Sequence, residues 1–181
     1  MESTGAGLGA IALRGGLWLL LGGWLGAWFL FAFSVAPTAF RVLPAGEAGG
    51  VVGPVIGALH LYGVFAGVAL AGIARGLGRG RWHQILPLLA AGLSLASEFL
   101  LTPEINRIRS LAFGPDATLE ATTRWWQLHG ISLSIYGAIG VIALILSGLH
   151  AWSDAAGAEA PRAVPIGPNP AKNREESAKN A

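Results

Sequence analysis

The sequence predicts an all-α integral membrane protein built as a bundle of four transmembrane helices, and three observations carry that prediction. The first is charge: of 181 residues only 12% are charged and 53% are apolar, with a mean hydropathy of +0.56. Soluble domains carry roughly 25% charged residues, so this chain is too poor in charge to coat itself against water. The second is that four apolar stretches reach spanning length. The third is that tryptophans gather at the ends of those stretches.

The spans fall at about residues 17–35, 51–73, 85–101 and 128–149. Roughly 20 residues cross a hydrocarbon core of about 30 Å as a helix. Backbone groups find no water there, so only helices or a closed barrel satisfy them. Barrel strands would alternate polar and apolar residues, and these runs are continuously apolar, hence helices. The first run follows a single charge, Arg14, as a signal peptide would. It exceeds the roughly 7–15 apolar residues of a signal segment, and the small-residue site Ser34-Val35-Ala36 is followed by Pro37, so it is read as a retained span. Trp18, Trp82, Trp125, Trp126 and Trp152 lie at span ends, where amphipathic rings favour the headgroup region; Trp24 and Trp28 lie mid-span, facing lipid or a neighbouring helix.

Pro37 is expected to end the first helix. Thr102-Pro103-Glu104 reads as the start of a new helix, with Thr102 as N-cap and Pro103 in the first turn. Ile105, Ile108 and Leu111 recur at helical spacing, predicting a short amphipathic segment in the interface between helices three and four. Gly114-Pro115-Asp116 breaks the chain before helix four. The resulting organisation is a short N-terminal tail (1–14), a membrane domain (15–152) and a C-terminal tail (153–181) of composition expected for disorder.

Glycine is abundant, 27 residues, and Gly22/Gly26, Gly53/Gly57 and Gly63/Gly67 are each four apart. Small residues at that spacing let helix backbones approach closely, predicting tight packing of helices one and two and a homo-oligomer through Gly-rich faces. Base composition alone would also supply glycine and alanine.

Four spans place both termini on one side. Arg14, Arg75, Arg79, Arg81, Arg162, Lys172, Arg174 and Lys179 lie there, against Arg41, Arg107, Arg109 and Arg124 on the other. Charges close to the membrane set orientation, and the compact GRGLGRGR turn between spans two and three favours cytoplasmic termini in a cell (inner) membrane.

The absence of cysteine excludes disulfides, thiolate metal sites and cysteine nucleophiles. Formal net charge is only +2, spread between helices, with no stripe for nucleic acid. No phosphate loop, His-Glu-x-x-His or Gly-x-Ser-x-Gly occurs, so no catalytic residue and no metal site is assigned, and the chain reads as a non-enzyme. The polar residues inside the spans are more informative. Glu98 is the one acidic residue within a span, five positions before Pro103 and so roughly 7 Å below the helix end. An ionisable group at the centre of a span costs about 2.5–3.5 kcal/mol to insert, less toward its edge. It reads either as a proton or cation site or as a hydrogen-bonded carboxyl near the interface. His60, nine residues into helix two, falls in the same half of the bilayer, as do His129, Ser132 and Tyr136 along one face of helix four. These five residues form the candidate polar cluster. The histidines also raise haem, with His60 and His129 as axial ligands on facing helices; His83 and His150 fall near the opposite interface, where polar residues are ordinary. No cofactor is predicted.

Three stretches, APTAFRVLPAGEAGGVVG (36–53), LLTPEINRIR (100–109) and WWQLHGISLSIYG (125–137), resemble the transmembrane protein 205-like family of small four-span proteins. The resemblance implies topology and carries no catalytic residues. Where that family places an asparagine seven residues after the histidine of helix four, this chain has Tyr136; where it places one before the proline of helix three, this chain has Ser97 and Glu98. Three functions stay open: small-solute or proton handling through the polar cluster, a haem- or metal-linked redox role, and a structural or assembly role in the membrane.

Overall fold

The computed structural model describes residues 4–159, and among them every regular element is helical. Helix α1 (Thr4–Leu30) runs through a π turn (Phe31–Val35) into α2 (Ala36–Val42); α3 (Ala45–Gly76) follows. Helix α4 (Trp82–Ala96) runs through a second π turn (Ser97–Leu101) into α5 (Thr102–Phe113), and α6 (Leu119–Glu159) closes the chain. These make four apolar spans of 36, 31, 32 and 39 residues: Gly7–Val42, Gly46–Gly76, Trp82–Phe113 and Leu119–Gly157. At 1.5 Å per residue each is roughly 45–60 Å long, so the helices overhang a core of about 30 Å at their ends.

The spans run up and down around a ring. Helix α1 packs on α3, α3 most extensively on α4, α4 and α5 on α6, and α6 returns to α1. One end is tied by Asp154 of α6, which pairs with Arg79, lies 3.7 Å from Arg14 and accepts a hydrogen bond of 3.1 Å from the Trp18 indole. The other end is tied by Arg109 of α5, donating to the Gly46 carbonyl at 3.0 Å. We call these the terminal and the opposite face.

Helical structure begins at Thr4, where a tail to residue 14 is expected, and Ser153–Glu159 continue α6 where a disordered tail is expected; residues 160–181 lie outside the described residues. Two proline expectations are also corrected. Neither Pro37 ends the first helix nor Thr102-Pro103 starts a new one. Each proline instead sits two residues after a π turn within a continuous helical rod. Proline lacks an N–H and its ring crowds the carbonyl four residues back; widening one turn relieves both. Breaking the helix within lipid would strand several backbone groups without water. Thr102 contributes its hydroxyl, donating to the Ser97 carbonyl at 3.1 Å, in place of capping a helix. Helix α5 is the amphipathic segment: Ile108 and Ala112 pack against Trp125 and Leu128 of α6, while Leu111 faces outward.

The close glycine packing lies elsewhere than expected. Gly22, Gly26 and Gly53 have open space where a Cβ would stand. Gly63 and Gly67 of α3 face α4, Gly67 directly against the Pro87 carbonyl and 2.9 Å, measured from an ideal Cβ, from the Ala91 methyl. The tight pair is therefore spans two and three. Trp125, expected in the interfacial belt, is buried in the cluster with Ile108 and Leu128, whereas Trp18, Trp82, Trp126 and Trp152 remain exposed. Trp24 is in the core.

Candidate functional site

The second π turn carries Glu98, the acidic residue singled out in the spans, and a widened turn rotates side chains away from ordinary helical phase. The Glu98 carboxylate thereby reaches across to α3, where His60 Nδ1 lies 3.2 Å from Oε2. The His60 side chain is 2% exposed and Glu98 22%. Gly57, one turn before His60, makes room for this approach: a Cβ there would stand 3.2 Å from Oε1. The Thr102 hydroxyl is 3.5 Å from Oε2 on the other side. The carboxylate thus has the His60 imidazole as its close partner, with the Thr102 hydroxyl, which donates to the Ser97 carbonyl, at a longer distance.

Behind this pair His60 Nε2 and Ser94 Oγ are buried without a protein partner. Both line a cavity of about 10 Å³ closed by Trp24, Trp28 and Tyr136, close to the least that accommodates one water molecule. Tyr136 is committed elsewhere. Its hydroxyl donates to the Trp28 carbonyl and the Trp28 indole donates to the Tyr136 carbonyl, both at 3.0 Å, with the rings stacked at 5.3 Å. This reciprocal clamp ties span one to span four.

His129 and Ser132 line a separate, larger cavity of about 80 Å³ on the opposite face, with Thr102, Asn106, Arg109 and Val52 among its walls. His129 stacks on Trp125 with ring centroids 4.7 Å apart. Thr102 belongs to this wall and also touches Glu98, so one hydroxyl separates the cavity from the carboxylate. The structure therefore joins His60 to Glu98, sets Tyr136 beside His60 across the small cavity, and holds His129 and Ser132 apart in the larger one. His60 lines the small cavity and His129 the larger one.

At the terminal face, His83 and His150, read from the sequence as ordinary interfacial histidines, form a second polar cluster. His83 and His150 are in edge contact, centroids 4.7 Å apart. His83 Nε2 meets Ser153 Oγ at 3.1 Å, while His150 is fully buried with neither ring nitrogen partnered. The signal was their common placement near one interface, His83 at the start of α4 and His150 just past the apolar run of span four, which periodicity alone does not distinguish from ordinary interfacial histidines. Between the two clusters lies an apolar layer that includes Leu17, Leu21, Leu70, Ala90, Ala143 and Leu146.

Residues 19–113 match a family described as "Domain of unknown function (DUF4149)". That match takes in the second part of span one, spans two and three, both π turns, His60, Glu98, Thr102 and Arg109. An uncharacterized protein of Aquifex aeolicus (strain VF5) is 32% identical over 127 residues, covering 69% of this chain and 86% of that relative. No solved structure matches the chain.

Proposed function

This chain belongs to the DUF4149 family, and from its polar site we propose that it handles a small solute together with a proton, taken up from the face opposite the termini. The observation that carries the reading is the Glu98 carboxylate, held by His60 deep in the bundle and one hydroxyl away from a cavity. Intramembrane carboxylates cost insertion energy, and helices could be tied together more cheaply by a neutral amide. Glu98 and His60 are the proton site, Thr102 the link, and His129 and Ser132 part of the solute wall. A haem on His60 and His129 is less favoured, because the two histidines line different cavities.

The apolar layer beneath His60 argues against passage through a single copy at rest. Crossing the membrane requires rearrangement of the spans or a path between copies, and the open glycine face at Gly22 and Gly26 offers a surface for self-association. We place the chain in a cell inner membrane with cytoplasmic termini, on the strength of the basic turn between spans two and three. We also place it near the transmembrane protein 205-like family on the three stretches quoted above.

The test is infrared difference spectroscopy of the purified protein across an acid titration. Wild type should show a protonated-carboxyl band from a low-polarity environment that Glu98→Gln lacks. Identical spectra for the two would leave Glu98 a structural tie and favour the assembly role.

A further inference from the structure

We infer that the larger cavity is a binding site for a small anionic amphiphile, a carboxylate or phosphate head on a short apolar body, with Arg109 as its anchor. The inference rests on the proposed proton site for its coupling and on the cavity itself for its chemistry. Every polar side chain on its wall can donate a hydrogen bond, and Arg109 and Trp125 can only donate. Arg109 spends one hydrogen bond on the Gly46 carbonyl and forms no ion pair among the described residues, unlike Arg14 and Arg79, which share Asp154, and Arg107, paired with Glu104. Its guanidinium lies across Gly49, where any Cβ would collide with it. Glycine at that position makes room for the guanidinium beside the cavity wall, leaving further N–H groups free for an oxyanion.

Trp125 supplies the second observation. It is 8% exposed, lines the cavity, and its indole N–H is buried with no partner. A buried donor left unmade costs about 1–3 kcal/mol; the indole N–H is closed off from the empty cavity, so a ligand acceptor reaches it only as the ring turns toward the ligand. No aspartate or glutamate lines the cavity, and Val52 and Ile56 give the apolar wall. An anion placed there approaches the Glu98 carboxylate through Thr102. Like charges at that range disfavour each other, so binding the anion should draw a proton from water onto the Glu98–His60 pair, leaving the added charge neutral.

The experiment uses full-length protein in nanodiscs of phosphatidylcholine, titrated calorimetrically with hexanoate and with hexanamide. Hexanoate should bind and hexanamide should not. Arg109→Gln should weaken hexanoate by at least about tenfold, as loss of a charge-assisted pair requires, and Arg107→Gln should not. A parallel arm uses nanodiscs containing phosphatidylglycerol with native mass spectrometry. Retained anionic lipid that blocks hexanoate and is lost in Arg109→Gln would assign the head to a lipid and equally supports the site. Equal binding of hexanoate and hexanamide, no binding of either anion, or indifference to Arg109→Gln would overturn it. Titration in buffers of different ionisation enthalpy separates the two readings. Arg109-dependent binding without proton uptake refutes the proton site and leaves the anion site standing, while Glu98→Gln should retain hexanoate and lose the uptake.

Discussion

Replacing Glu98 by methionine removes the carboxylate from His60 while keeping an unbranched side chain of similar length. His60 is 2% exposed and its Nε2 already lacks a partner, so Glu98→Met leaves an imidazole bonded through neither ring nitrogen. Stripping a buried polar group of its partner costs about 1–3 kcal/mol. His60→Leu alone leaves Glu98 with only the long contact from Thr102 at 3.5 Å, an expected loss of similar sign. The double replacement removes both polar groups together, and such paired removals come out nearly neutral or stabilising. The cycle should therefore show a coupling close to the two single losses summed, about 2–6 kcal/mol. Unfolding by sodium dodecyl sulfate from mild detergent micelles, followed by the fluorescence of the seven tryptophans, measures all four variants. If the double variant falls as far as the two single losses summed, the contact stabilises nothing and the reasoning about the pair is wrong.

Gly67→Ala pushes a methyl into the Pro87 backbone and should destabilise by about 1–3 kcal/mol as overpacking, whereas Gly22→Ala meets open space and should stabilise slightly through helix propensity, by about 0.5–1 kcal/mol; the same unfolding assay reads both, and equal effects would contradict the packing of span two on span three. Because the chain has no cysteine, single cysteines report topology cleanly. Ala117→Cys should react with an impermeant maleimide on intact cells and Gly80→Cys only after lysis, and the reverse pattern would invert the proposed orientation.

The four spans were legible because lipid imposes a length and an apolarity that no soluble helix needs, and Glu98 was legible because any acid within such a run stands out. The pairing of Glu98 with His60 was legible only as a common depth. Other expectations failed for identifiable reasons. Proline in the first turn of a helix and proline after a π turn leave the same mark in a sequence, so Thr102-Pro103 read as a start when it is a widened turn inside one rod. Trp125 and Trp126 are neighbours with the same apparent claim on the interface, yet one is buried against Ile108 and the other exposed. His150 looked like any histidine at a span end and is fully enclosed. Arg109 read as an orientation charge, and its place over Gly49 depends on α5 folding back against the start of α3.

By itself the sequence determined that there are four apolar helical spans and roughly where each lies along the chain. Only the tertiary structure decided which face of each helix turns inward. In water the apolar stripe of a helix announces its buried side; in lipid the outer face is as apolar as the inner one. Leu17 and Leu21 are enclosed while Leu19, on the same helix and of the same kind, is exposed. With rotational phase unmarked by hydrophobicity, contact between His60 and Glu98, and the separation of both from His129, had to come from glycine, proline and the fit of backbones in three dimensions.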